Sequence, residues 1–286
     1  MPHLHTFKTF TLRFVGILVS LYLLFVAFLY LFQDRLIFHR TNMTEERWKE
    51  VAEDLHADYA TIRVDAEGHH LQGWFLSDGS GIARPTVIFF GGNAMRLDYA
   101  ISTLQHLREE KINLLLVDYR GYGLSEGKPS AEALKADAEK VFDAAASHPL
   151  VQKEHMSAWG YSLGTGVATY LASVRPVEKL ILFAPFTSTL DLAKKSYPFV
   201  PVDLLLRNRF DTLALAPALQ NPVLIVYGEE DDEYGGAHAE KVAAAWGGPK
   251  ELLSLSNRGH QDLLEDERAW EQVIEFVQPS SEQTTP

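Results

Sequence analysis

The chain has 286 residues, 47% of them hydrophobic and 22% charged, which suits one large globular domain with an appendage and is too apolar for disorder. Its formal net charge of -12 repels phosphate backbones and comes with no basic cluster, so nucleic acid is not an expected partner. There is no cysteine, which excludes disulfides, thiolate nucleophiles and cysteine-based zinc sites together.

The first 13 residues form a short N-terminal segment, and residues 14–32 then run without a charge, rich in Leu, Val, Phe and Tyr. A helix of that length crosses roughly 28 Å, enough for one hydrocarbon core. A cleaved signal peptide is the competing reading, but the run ends in Leu29-Tyr30-Leu31-Phe32 rather than in small residues. An uncleaved single-pass anchor is therefore expected. The amino terminus, Lys8 and Arg13 before the run nearly balance Arg35, Arg40, Arg47 and Lys49 after it, so neither orientation is favoured.

Residues 33–58 read as a juxtamembrane linker, with 44–55 also compatible with a helix. From residue 59 to 278 the pattern alternates. Strands are expected at 61–64, 71–76, 86–90, 113–117, 157–159, 179–183, 223–227 and 251–254, and helices at 97–107, 131–147, 163–173, 237–246 and 264–276. Such alternation predicts an α/β fold, a mostly parallel eight-stranded sheet flanked by helices. The stretch 187–217 interrupts the rhythm. Its apolar run 197–206 carries Pro198 and Pro201 and serves either as a small cap over the site or as core packing. The tail 279–286 is polar and expected to be disordered. Since no sheet strand precedes residue 40, the chain from there on is expected to be a complete soluble catalytic unit.

Gly160-Tyr161-Ser162-Leu163-Gly164 lies between an expected strand and an expected helix. That context puts Ser162 on a sharp turn where small residues two positions either side let backbones approach. A serine hydroxyl needs a base, and imidazole titrates in the right range. Of eleven histidines only His238 and His260 follow Ser162. His238 begins an expected helix and reads as an exposed helix residue, whereas His260 sits in the loop after the last strand. The base in turn needs an acid. The strand at 223–227 runs into Gly228-Glu229-Glu230-Asp231-Asp232-Glu233, which favours Asp231, with Asp232 in reserve. Two backbone N–H groups would hold the oxyanion: that of Leu163, and that of Asn93 in Phe90-Gly91-Gly92-Asn93-Ala94, although those glycines also fit a plain turn.

With these residues in place the chain resembles the α/β-hydrolase superfamily, and within it the branch of N-terminally membrane-anchored serine hydrolases related to the protein depalmitoylases. The resemblance covers roughly residues 33–276. It rests on Gln33-Asp34-Arg35-Leu36-Ile37-Phe38, Gly92-Asn93-Ala94, Asp118-Tyr119-Arg120-Gly121-Tyr122-Gly123, the serine turn, Ala184-Pro185-Phe186-Thr187-Ser188, Pro222-Val223-Leu224-Ile225 and Gly259-His260. The order Ser162, Asp231, His260 is the order that superfamily uses. One departure stands out: Gly91 occupies the place where the branch commonly has histidine. Asp118 and Arg120 read as braces of their loop.

The resemblance implies acyl-enzyme chemistry on an ester or thioester, with a lipid-like acyl substrate or an acylated protein as partner and no metal or cofactor. A peptidase using the same triad and a non-catalytic tethered interaction protein are the alternatives.

Overall fold

The computed structural model describes residues 2–55 and 59–278; the 279–286 tail lies outside them. Eight strands form one sheet: β1 (Tyr59–Ala66), β2 (His69–Leu76), β3 (Arg84–Phe90), β4 (Asn113–Val117), β5 (Val151–Tyr161), β6 (Leu180–Phe183), β7 (Val223–Gly228) and β8 (Lys250–Leu255). Their spatial order is β1-β2-β4-β3-β5-β6-β7-β8. β2 runs antiparallel to both neighbours, and every pair from β4 to β8 is parallel. Parallel strands need crossovers, so the inner strands are covered on both faces and carry apolar runs, as in the fully buried Leu180–Phe183.

The helices are α1 (Pro2–Ile37), α2 (Glu45–Asp54), α3 (Leu97–Leu104), α4 (Ala131–Ala146), α5 (Leu163–Val174), α6 (Thr189–Ser196), α7 (Val202–Leu205), α8 (Thr212–Leu215), α9 (Gly236–Ala245) and α10 (Glu267–Val277). Residues of α4, α5 and α9 build the core on one face of the sheet, and residues of α2, α3 and α10 build it on the other.

β5 begins at Val151, six residues earlier than its apolar pattern, because Val151 still pairs with Arg84 of β3, the more exposed Gln152–His155 falling in a register irregularity between the Arg84 and Thr86 pairings. α10 starts at Glu267 rather than at 264, since residues 263–265 make a 3₁₀ turn and Asp266 caps the helix through Arg268 N–H.

The expected linker 33–58 needs the larger correction. α1 continues to Ile37, Phe38 is buried, and Thr44 caps α2, which lays Val51 and Leu55 into the core. Trp48 stacks on Trp74 of β2 with ring centroids 4.3 Å apart. A polar surface pattern hid this because only one stripe of α2 is apolar.

The 187–217 region forms α6, α7 and α8 above the C-terminal edge of the sheet. It meets α1 through a set of polar contacts: Gln33 Nε2 donates to Leu205 O at 3.1 Å, Arg207 N donates to Gln33 Oε1 at 2.8 Å, and Asn208 Nδ2 donates to Asp34 Oδ1 at 2.6 Å. The C-terminal end of α1 is thus docked on the 187–217 region, so Gln33, Asp34 and Phe38 pack on the body that follows rather than forming a free linker.

Candidate active site

β5 ends at Tyr161 and α5 begins at Leu163, so Ser162 alone turns the chain, with φ +50° and ψ −115°. For a residue with a side chain such backbone costs about 1–3 kcal/mol. It is held by Ser162 N–H donating to Phe183 O at 2.9 Å and by Thr165 Oγ1 donating to Ser162 O at 2.6 Å. Glycine is needed at both flanks. A Cβ on Gly160 would lie 2.4 Å from Gly164 O, and one on Gly164 would lie 1.9 Å from Phe90 O.

The loops after β7 and β8 bring the other two groups. His260 Nε2 is 2.9 Å from Ser162 Oγ, and His260 Nδ1 is 2.8 Å from Asp231 Oδ2. The second oxygen of Asp231 accepts the backbone N–H groups of Glu233 and Tyr234, each at 2.9 Å. Burial pushes this carboxyl up, but the His260 bond and the two N–H groups outweigh it and hold it below the ordinary carboxylate range. An ionised acceptor at Nδ1 requires the proton there, leaving Nε2 free to accept the serine proton. Asp232, the reserve, is exposed and makes no such contact. The acid and base loops are tied together by Glu230 N–H donating to Arg258 O at 2.9 Å.

Asn93 and Leu163 both line a cavity beside Ser162. The side chain of Asn93 is fully engaged: its Oδ1 accepts from His39 N at 2.8 Å and Tyr122 Oη at 3.0 Å, and its Nδ2 donates to Ile37 O at 2.7 Å. Tyr119 Oη donates to Gly91 O at 2.8 Å. The loop therefore takes its rigidity from the end of α1 and from two tyrosines, where the resembled branch has a histidine.

The cavity is about 230 Å³ and mostly apolar. Leu29, Tyr30, Leu36 and Ile37 of α1 form one wall, and Leu192, Val200 and Leu206 of the cap form the facing one. Tyr234, which sequence reasoning missed, lines it as well and sets its ring edge-on to His260, with centroids 4.8 Å apart. Burial pushes its phenol up, while the nearby Ser162 hydroxyl pulls it down. Nothing in the sequence distinguishes Tyr234 beyond its place three residues after Asp231.

His238 departs from expectation. It is half-buried, and its Nδ1 accepts from Thr187 N at 3.2 Å, away from Ser162. Among the described residues no cluster of His, Asp and Glu is arranged to hold a metal ion.

Arg120 braces its loop through a buried bidentate pair with Asp137, one bond being Nε to Oδ2 at 3.0 Å. Asp118 behaves differently: its Oδ2 is buried with no hydrogen-bond partner. Burial, with a smaller push from Asp98, raises this carboxyl to about 7. Folding raises its pKa, so the folded chain holds the proton more tightly and stability falls as pH rises from about 4 to about 7, then levels off. Asp118→Asn should therefore melt several degrees higher than wild type at pH 8, an advantage on the order of 2 kcal/mol that shrinks toward pH 5. Thermal melts in detergent at the two pH values check this, and a lower melting point for the variant at pH 8 would contradict it.

A family model described as the alpha/beta hydrolase fold matches residues 85–211. The chain is 33% identical over 200 residues to an uncharacterized protein of Mycobacterium tuberculosis, covering 68% of this chain and 70% of that one. It is 30% identical over 200 residues to alpha/beta hydrolase domain-containing protein 17B of Xenopus laevis, covering 68% and 67%. Among solved structures, a Pyrococcus furiosus esterase superposes with a TM-score of 0.63 at 19% identity, over 79% of this chain and 94% of that one.

Proposed function

We propose, from the premise that this chain belongs to the α/β-hydrolase family, that it is a membrane-anchored serine hydrolase acting on acyl esters or thioesters. The observation that carries the reading is the relay from Ser162 Oγ through His260 to Asp231, at 2.9 and 2.8 Å, beside an apolar cavity. Neutral His260 takes the Ser162 proton at Nε2 as Oγ attacks the acyl carbonyl, and Asp231 stabilises the imidazolium that forms. The N–H groups of Leu163 and Asn93 receive the oxyanion. His260 then hands its proton to the leaving group, and water activated by the same nitrogen releases the acid from the acyl-enzyme. α1 serves as the anchor, supported by its apolar Thr11–Ile37 stretch, none of whose most apolar window is buried by the rest of the protein.

Reaction with a fluorophosphonate probe tests the chemistry. The full-length chain should label, and failure to label would sink the serine hydrolase reading.

Substrate class is tested by a chain-length series. Each methylene buried between α1 and the cap is worth about 0.8 kcal/mol, so kcat/KM for p-nitrophenyl esters or acyl thioesters should rise about fourfold per carbon until the cavity is full. The same enzyme should cleave aminoacyl amides poorly. Flat ester rates with efficient amide cleavage would favour the peptidase reading.

A further inference from the structure

The cap carries the most exposed large apolar side chains of the catalytic body, Phe199 at 87% and Leu204 at 85%. Neither lines the cavity. Both lie on the segment that flanks α1, where Tyr22 Oη donates to Phe199 O at 2.8 Å. Tyr22 is deep in the apolar run, and this one bond fixes how far the cap climbs along the helix.

Arg13 holds the N-terminal edge of the hydrocarbon near residue 14. From there to Tyr22 the helix rises only about 12 Å, against a hydrocarbon core of about 30 Å. About 18 Å of hydrocarbon must therefore lie on the catalytic side of Tyr22, and tilt of the helix only increases that length along the chain. Measured from residue 14, about 20 residues carry the span to Gln33. There the first polar docking contacts appear, Gln33 to Leu205 and Asp34 to Asn208. Phe199 sits at the level of Tyr22, well inside that boundary. The one carboxylate on the segment, Asp203, is neutralised by Lys194 at 2.7 Å. The cavity wall reaches Leu29, four residues before Gln33 and thus also within the span.

We infer that the cap tip, with Phe199 and Leu204, is immersed in the hydrocarbon core that α1 crosses, and that the cavity between α1 and the cap admits its acyl substrate sideways from that core rather than from water. This rests on the anchor reading and adds a second, monotopic membrane contact to it. A lipid acyl chain then reaches Ser162 without crossing the aqueous phase, which removes the cost of exposing each methylene to water.

The absence of cysteine makes the test clean, because every introduced thiol is unique. Full-length Phe199→Cys, Leu204→Cys, Leu24→Cys and Ile82→Cys variants are labelled with an environment-sensitive fluorophore and reconstituted in phosphatidylcholine vesicles. Ile82 is exposed just before β3, at the far end of the sheet from the site, and Leu24 lies within the apolar run. Reaction with fluorophosphonate verifies that each variant is folded.

Labels at 199 and 204 should be quenched by doxyl lipids, as at 24, and should resist aqueous iodide roughly fivefold better than the label at 82. Lipid quenching at 24 with iodide-accessible labels at 199 or 204 overturns the inference while leaving the anchor intact. An iodide-accessible label at 24 removes the anchor reading, and the inference with it. As an independent readout, Phe199→Asp combined with Leu204→Asp should lower the rate on a bilayer-resident long-chain ester about tenfold or more and leave a water-soluble short-chain ester within about twofold. Equal loss on both substrates would also overturn it.

Discussion

Ser162→Ala and His260→Ala should each reduce kcat for ester hydrolysis by about 10⁴-fold or more, and the double variant should be little worse than either. The two groups act as one unit: without the imidazole the hydroxyl keeps its proton, and without the hydroxyl the imidazole has nothing to activate. Asp231→Asn should cost about 10³-fold, because an amide cannot stabilise the imidazolium and can hold His260 in the wrong tautomer. Asp232→Asn should stay within about twofold, given its exposed side chain. Steady-state kinetics on one short ester, with thermal melts to establish folding, separates these cases. A damaging Asp232→Asn beside a silent Asp231→Asn would reassign the acid.

Two truncations should differ by about 100-fold or more in kcat/KM. A chain cut before residue 23 keeps Leu29, Tyr30, Gln33, Leu36 and Ile37 against the cap and should retain most activity in detergent. A chain cut before residue 40 loses that cavity wall and both α1-end partners of Asn93, the Ile37 carbonyl and the His39 N–H. Each unmade bond to a part-buried amide costs about 1–3 kcal/mol, and a donor displaced by an ångström is enough for a hundredfold loss. Circular dichroism establishes whether the shorter chain still folds. Equal activity of the two would show that the helix end is dispensable to the site.

The sheet was legible because most of its inner strands carry apolar runs bounded by turn residues, and the Ser162 turn because Gly160 and Gly164 sit where backbones nearly touch. Asp231 could be ranked above Asp232 only by its position after the strand, and the two backbone N–H groups that hold its carboxylate are invisible in the sequence. The docking of α1 on the cap was hidden for a different reason. An uncharged run of 19 residues carries one strong message about bilayers, and it masks any message about protein contacts. Gln33 and Asp34 meet partners 172 and 174 residues away, a pairing no local pattern encodes. β5 was underestimated because its first residues are polar, and Tyr234 because a single aromatic in a loop has no periodicity to mark it.

The separation of Ser162 and His260 along the chain, 98 residues, has a consequence for biosynthesis. At roughly 5–20 residues per second the ribosome delivers the serine about 5–20 s before the histidine. β7 and β8 must also be added to the sheet's edge before the two loops can meet. Throughout that interval the nascent chain carries Ser162 with no imidazole beside it. The arrangement of Ser162, His260 and Asp231 is thus completed only late in translation, once the loop after β8 has emerged.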